Sequence, residues 1–140
     1  MSAAVTLYTQ EVLALATSLA AWPLDPALPL IGQARAPTCG STIELGLSLD
    51  NAGAIAAIGL RARACAIGQA AAAIFANAAR GRSRADIAAA VTAIEHWLAG
   101  AELPGWPGFA AIAAARDYPA RHGAILLAWR AALVALDPRG

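Results

Sequence analysis

Lysine is absent from this 140-residue chain, and all ten basic residues are arginine. Together with the abundance of Ala, Gly and Pro, this points to a GC-rich, bacterial coding sequence and says nothing of function. Charge of either sign is sparse: charged residues make up 14% of the chain and the formal net charge is +1. Acids and bases are interspersed, with no basic block and no aromatic-basic interleaving, which argues against a nucleic-acid partner. Long apolar runs are also missing. The longest uncharged stretch, between Arg63 and Arg80, is shorter than a bilayer span and contains Gly68, Gln69 and Asn77, so no transmembrane helix is expected. The chain is 59% hydrophobic, but much of that is alanine, which lets helices pack closely while burying little area per residue. The N-terminus lacks a basic segment, and Glu11 interrupts its apolar stretch, so no signal peptide and a cytoplasmic location are expected.

Cysteine is scarce too. Cys39 and Cys65 are the two in the chain. Without a secretory signal they imply a reducing compartment, where a structural disulfide is the less favoured use. A thiolate ligand or a reactive thiol is the sharper reading; two small, inert buried residues are the bland one. The motifs of several enzyme classes are lacking: no G-x-S-x-G, P-loop, dinucleotide fingerprint, H-E-x-x-H or C-x-x-C occurs. A Cys–His nucleophile pair remains geometrically open, but no motif supports it.

The length suits a single domain, 1–140, with a real core. Residues 5–21 carry apolar positions at helical spacing. The segment from Trp22 to Pro37 holds Pro23, Pro26, Pro29 and Pro37, and reads as a wrapping loop with a short edge strand near Ile31–Arg35. Residues 42–49 alternate apolar and polar positions; Asp50-Asn51-Ala52-Gly53 is a turn signal, and 54–63 a second strand, making a hairpin. An alanine-rich helix over 66–80 stops at Gly81. Ser83 and Asp86 resemble a capping arrangement for a helix through Leu98. After a loop around Leu103–Gly108 come a short helix, Phe109–Arg116, and a final helix opened by Asp117-Tyr118-Pro119 and running to about Leu136. The expectation is α+β: a small antiparallel sheet with four to five helices packed on one face.

Cys39 lies in the loop entering the hairpin, and Cys65 where the second strand gives way to a helix. Antiparallel strands of similar length bring those two points to one end of the sheet. At a helix N-terminus the dipole favours a thiolate at Cys65. Gly40 lets the backbone approach closely, and Gly68 leaves the next turn uncrowded. Two thiolates at one rim make half of a soft-metal site. His122, early in the last helix, is the best further ligand, though an ordinary helix-terminal histidine is the competing reading. Ser41 is a weaker oxygen donor. His96, mid-helix, reads as a surface or partly packed residue. Arg80, Arg82 and Arg84 read as a solvated helix junction rather than an anion site.

Three strings carry a family resemblance: Ala36-Pro37-Thr38-Cys39-Gly40-Ser41, then Arg63-Ala64-Cys65-Ala66-Ile67-Gly68-Gln69-Ala70 after the hairpin, and Ala120-Arg121-His122-Gly123-Ala124-Ile125-Leu126-Leu127-Ala128-Trp129. From about Leu7 to Leu136 the chain resembles the U-type iron–sulfur cluster assembly scaffolds (IscU, SufU and the N-terminal part of NifU). The long segment between Cys65 and the last helix looks more like the SufU branch. The resemblance implies a non-enzymatic scaffold or carrier, monomeric or weakly dimeric. Such a scaffold holds zinc or a transient iron–sulfur cluster, takes sulfur from a cysteine desulfurase and passes the cluster to recipient apo-proteins. It implies Cys39 and Cys65 as thiolate ligands and His122 as an auxiliary one. The chain also departs from the family. Ser41 stands where an aspartate is usual. The third cysteine is missing, its place falling on Ala124 or Gly123 according to alignment. Ser18 to Asp25 replaces an asparagine-proline-arginine-rich motif. Either a depleted scaffold site or a protein-binding module without cluster chemistry follows.

Overall fold

The computed structural model describes residues 7–137. Among these are four α-helices and a three-stranded antiparallel sheet: α1 (Gln10–Ser18), β1 (Leu30–Arg35), β2 (Thr42–Leu49), β3 (Ile55–Arg63), α2 (Ala66–Ala79), α3 (Arg84–Leu98) and α4 (His122–Ala135). The strands lie in the order β1-β2-β3, with the β2 centre paired on both sides. This is the expected α+β arrangement, and the edge strand near Ile31–Arg35 is a full ladder partner of β2, with Leu30 facing Leu47 and Arg35 facing Thr42.

The alternation in β2 sends Ile43, Leu45 and Leu47 into the core. Helix α4 covers that face over β1 and β2, and α2 packs beside it against β3. Gly32 is the contact point between β1 and α4: a β-carbon there would overlap the Ala131 carbonyl oxygen. On the opposite face Gly59 serves the proline-rich loop. Its missing β-carbon makes room for the Pro23 carbonyl, while Leu60 N–H donates to Trp22 O at 2.8 Å. The wrapping loop is therefore fastened to the sheet by a backbone bond.

Helix α2 is buried along most of its length, from Ile67 to Ala79. Its alanines let α4 lie close alongside. Larger side chains form an aromatic cluster: Phe75 stacks on Trp106 at 5.7 Å, and Trp129 meets Phe75 and Trp106 edge-on at 5.5 and 5.4 Å. Trp106 Nε1 donates to Ile74 O at 2.9 Å, which ties the 103–108 loop to α2. Ser83 and Asp86 form the reciprocal capping box expected at the start of α3. At the preceding junction Arg80 lies over the Trp22 ring at 5.4 Å and Arg82 over the Trp106 ring at 4.5 Å, so both stack on aromatics as well as meeting solvent.

Three boundaries differ from the sequence reading. The first helix, expected over 5–21, starts at Gln10, where the Thr9 side chain accepts from Val12 N–H; positions 5 and 6 lie outside the described residues. It ends at Ser18 and tightens to a 3-10 turn, Leu19–Ala21; Thr17 and Ser18 hydroxyls bond back to the Leu13 and Leu15 carbonyls, a competition that bends helices. Phe109–Asp117 is a 3-10 segment kinked at Ile112 rather than a short α-helix. The final helix does not open at Asp117. Proline disfavours helical geometry in the residue before it, and Tyr118 sits at φ −121°, ψ 82°. Pro119–Arg121 makes a separate 3-10 turn, and α4 begins at His122.

Gly32→Ala is expected to destabilise the fold by about 3 kcal/mol, the upper end for overpacking against unyielding backbone. Gly105→Ala, with open space around the position, is the control. Denaturant melts of the two variants would check this; equal midpoints would refute the proposed α4–β1 contact.

Candidate functional site

The β1–β2 connection is a tight loop. Ala36 N–H donates to Ser41 O, and Gly40 N–H to Ala36 O, each at 2.8 Å. Gly40 takes φ 73°, a conformation that costs side-chain-bearing residues dearly. The loop lifts Cys39 into solvent while Ser41 stays buried, at 6% exposure. The Cys39 thiol donates to Ser41 Oγ at 3.1 Å. When the sulfur ionises, the hydroxyl can turn and donate to it. That bond, then the Ser41 backbone N–H, hold the Cys39 thiol below its usual range, with a smaller contribution from the Arg121 charge.

Cys65 is the N-cap of α2, with extended backbone (φ −64°, ψ 170°), and is half-buried. Its carbonyl accepts from Gln69 N–H at 2.9 Å, and the Gln69 amide reaches back to Ala64 O at 2.9 Å, fixing the strand-to-helix corner. Register brings the two cysteine segments together: Thr42 faces Arg63, so the entry to β2 and the exit of β3 lie at one end of the sheet.

The start of α4 sits between these segments. A β-carbon on Gly123 would come 3.0 Å from Ala36 Cβ, at the base of the Cys39 loop. One on Gly68 would come 3.1 Å from Ala124 Cβ, just inside the Cys65 corner. Those contacts occupy the two positions where the resemblance places a third cysteine. Ala124 is buried, at 1% exposure, and offers no donor.

His122 is the first residue of α4 and half-buried. Its Nε2 lies 2.6 Å from the Arg116 carbonyl oxygen. A carbonyl only accepts, so Nε2 carries the hydrogen and the neutral ring keeps a free lone pair at Nδ1. Among the described residues no group of three or more His, Cys, Asp or Glu side chains is gathered closely enough to hold a metal ion. His96 lies exposed near the end of α3.

Arg121 was not singled out by spacing or motif. It closes the 3-10 turn before α4, and its Nη2 donates to Tyr8 Oη at 3.0 Å. Its Nε is buried without a hydrogen-bond partner. The Tyr8 hydroxyl, and then the charges of Cys65 and Cys39, hold the guanidinium firmly protonated. Its position beside His122 was visible in the sequence; the Tyr8 contact, across the length of the chain, was not.

No protein-family model and no curated protein matches the sequence. Solved structures do. The chain superposes on a nitrogen-fixing NifU-like protein (N-terminal) from Brucella abortus with TM-score 0.83 at 25% identity, covering 96% of this chain and 95% of that one. A putative iron–sulfur cluster assembly scaffold protein for the SUF system from Fervidobacterium islandicum AW-1 gives TM-score 0.82 at 18% identity, over 94% and 98% of the two chains. A third structure, of a hypothetical protein, gives 0.71 at 22% identity, over 89% and 96%. The chain has the U-type scaffold fold. No helix among the described residues is long and apolar enough to cross a membrane.

Ser41→Ala is expected to slow alkylation of Cys39 by iodoacetamide several-fold at neutral pH. Without the hydroxyl the thiol titrates higher, so less thiolate is present below its midpoint and the rates converge well above it. Site-resolved mass spectrometry across a pH series would check the shift; superimposable profiles would refute it.

Proposed function

We propose that this chain is a divergent iron–sulfur cluster assembly scaffold or carrier, not an enzyme, in which Cys39 and Cys65 are the thiolate ligands of the cargo. The observation that carries this reading is the placement of both cysteines at one end of this particular fold, beside the first turn of α4. The donor set suits soft cations: two sulfurs, with His122 Nδ1 as an auxiliary ligand and Ser41 Oγ as a weak oxygen donor. Because the three groups are not gathered closely enough in this structure to hold a metal ion, loading would require Cys39, Cys65 and His122 to close on zinc or a labile cluster, with an external thiol or a second subunit completing its coordination. A cysteine desulfurase would supply sulfur, and cytoplasmic apo-proteins would take the finished cluster.

A second reading is a protein-binding or regulatory module without cluster chemistry. The packed, donor-free positions Gly123 and Ala124 favour it, since the place of a third thiolate is filled by helix and loop contacts.

Anaerobic reconstitution with ferrous iron and sulfide separates the readings. A scaffold gives charge-transfer absorbance that falls by more than half in both Cys39→Ala and Cys65→Ala, with the melting temperature little changed for exposed Cys39. A wild-type protein that forms no cluster and binds no zinc would sink the ligand assignment. A double variant that keeps its biological role while folded would favour the module. His122→Ala is expected to shorten cluster lifetime while leaving initial loading largely intact, measured as the decay of that absorbance.

A further inference from the structure

The sheet face turned away from α2 and α4 is covered over only part of its length. Strand register arranges that face in rows. In the row Ile31–Gly46–Gly59 the wrapping loop lies on the strands: β-carbons added to the two glycines would meet Leu28 and the Pro23 carbonyl oxygen. The next two rows, Gln33–Glu44–Arg61 and Arg35–Thr42–Arg63, are open, with Gln33, Arg35, Arg61 and Arg63 all exposed. The middle row closes on itself, Arg61 Nη1 lying 3.9 Å from Glu44 Oε1. The end row does not. Arg35 and Arg63 flank Thr42, and neither pairs with a carboxylate among the described residues. Strand spacing sets their α-carbons about 10 Å apart, so both guanidinium groups can converge on one carboxylate held above Thr42. Beside the middle row, under the edge of the wrapping loop, is a groove of about 330 Å³ lined by Leu24, Asp25, Pro26, Ile31, Glu44 and Arg61. Ile31 is 52% exposed there, an apolar side chain without a cover. The Asp25 carboxylate is engaged by the loop itself, accepting from Ala27 N–H at 2.8 Å.

We propose that this face is a docking surface for an extended acidic segment of a partner protein, whose carboxylates bind Arg35 and Arg63 and whose apolar side chain enters the groove beside Ile31. Charge and spacing argue for that occupant. Ile31 and Arg35 are four residues apart on one strand, about 13 Å, and alternate side chains of an extended segment share a face, so an apolar residue and an acid four apart match the surface. A chain of uniform negative charge fits less well, because Asp25 and Glu44 border the apolar groove and would repel it. Arg35 leads into the Cys39 loop and Arg63 stands two residues before Cys65, so the docked segment arrives at the end of the sheet that holds both cysteines. The docking surface stands whether or not those cysteines load a cluster.

The test is fluorescence anisotropy of labelled synthetic peptides with the full-length protein. The probe peptide has a leucine, three serines and then two glutamates. Wild-type protein should bind it saturably, and should bind more weakly a peptide with serine for the leucine, and one of the same composition with the leucine set between the glutamates. Arg35→Gln and Arg63→Gln should each weaken binding of the probe about five-fold at low salt, the effect of one charge pair at contact in water, and added salt should shrink the difference. Ile31→Gln should weaken binding of the leucine probe and leave the weaker binding of the serine peptide unchanged, so that the two changes are not additive. Arg84→Gln, at the exposed start of α3, should change nothing. All four substitutions are at exposed positions, and thermal melts confirm that each variant is folded. Absence of saturable binding to the wild type would overturn the proposal, as would equal binding of the rearranged peptide or an equal loss in Arg84→Gln. So would competition by an oligothymidylate as effective as by the unlabelled probe, which would give the face to nucleic acid, or a wild-type dimer that Arg63→Gln dissociates, which would give it to a second copy. No iron or sulfide is present, so these outcomes stand apart from a failure to assemble a cluster.

Discussion

Helix α4 lies against β1 at a separation that one β-carbon would forbid. The arrangement of the end that holds the cysteines follows from that approach. With Gly32 beneath Ala131, the helix axis comes down onto the sheet. Its first turn is then level with the strand ends, where Gly123 meets Ala36 and Ala124 meets Gly68. The same economy of side chains runs through α2, whose buried alanines let two helices share one sheet face. Close approach here is a matter of omitted atoms more than of interlocking large ones. Dispersion gains are spread over many short contacts, and each is sensitive to a single added carbon.

The cysteine rim is consequently built from backbone. The Cys39 loop is closed by two main-chain bonds and a left-handed glycine; the Cys65 corner is closed by the first helical bond and the Gln69 amide. Side chains then tune what the backbone has placed. Ser41 polarises one sulfur from a buried position, and Arg121, gripped by Tyr8, provides a charge felt by both. Cys39 is exposed and Cys65 half-buried.

Much of this was legible because local chemistry and tertiary structure agree. The alternation in 42–49, the turn at Asp50–Gly53, the Ser83–Asp86 cap and the helix start at Cys65 are short-range signals, and the structure keeps them. Antiparallel pairing then located both cysteines at one end without any long-range knowledge. What escaped depends on partners far away in sequence or on backbone carbonyls. The hydrogen bond of His122 goes to the Arg116 carbonyl, which no side-chain pattern records. The Tyr8–Arg121 bond joins opposite ends of the chain. Pro119 is compatible with a helical first turn, but its constraint on Tyr118 delays α4 until His122.

The aromatic cluster has a consequence for how the protein can be observed. Trp129 sits within α4 and touches Phe75 and Trp106 on neighbouring elements, with its indole buried from water. The helix that begins between the two cysteines therefore carries, two turns farther on, a fluorophore packed edge-on against another. Any tilt or slide of that helix would change the ring geometry before it changed the fold. The molecule thus has an intrinsic optical gauge of the end that holds Cys39 and Cys65, carried by a buried ring.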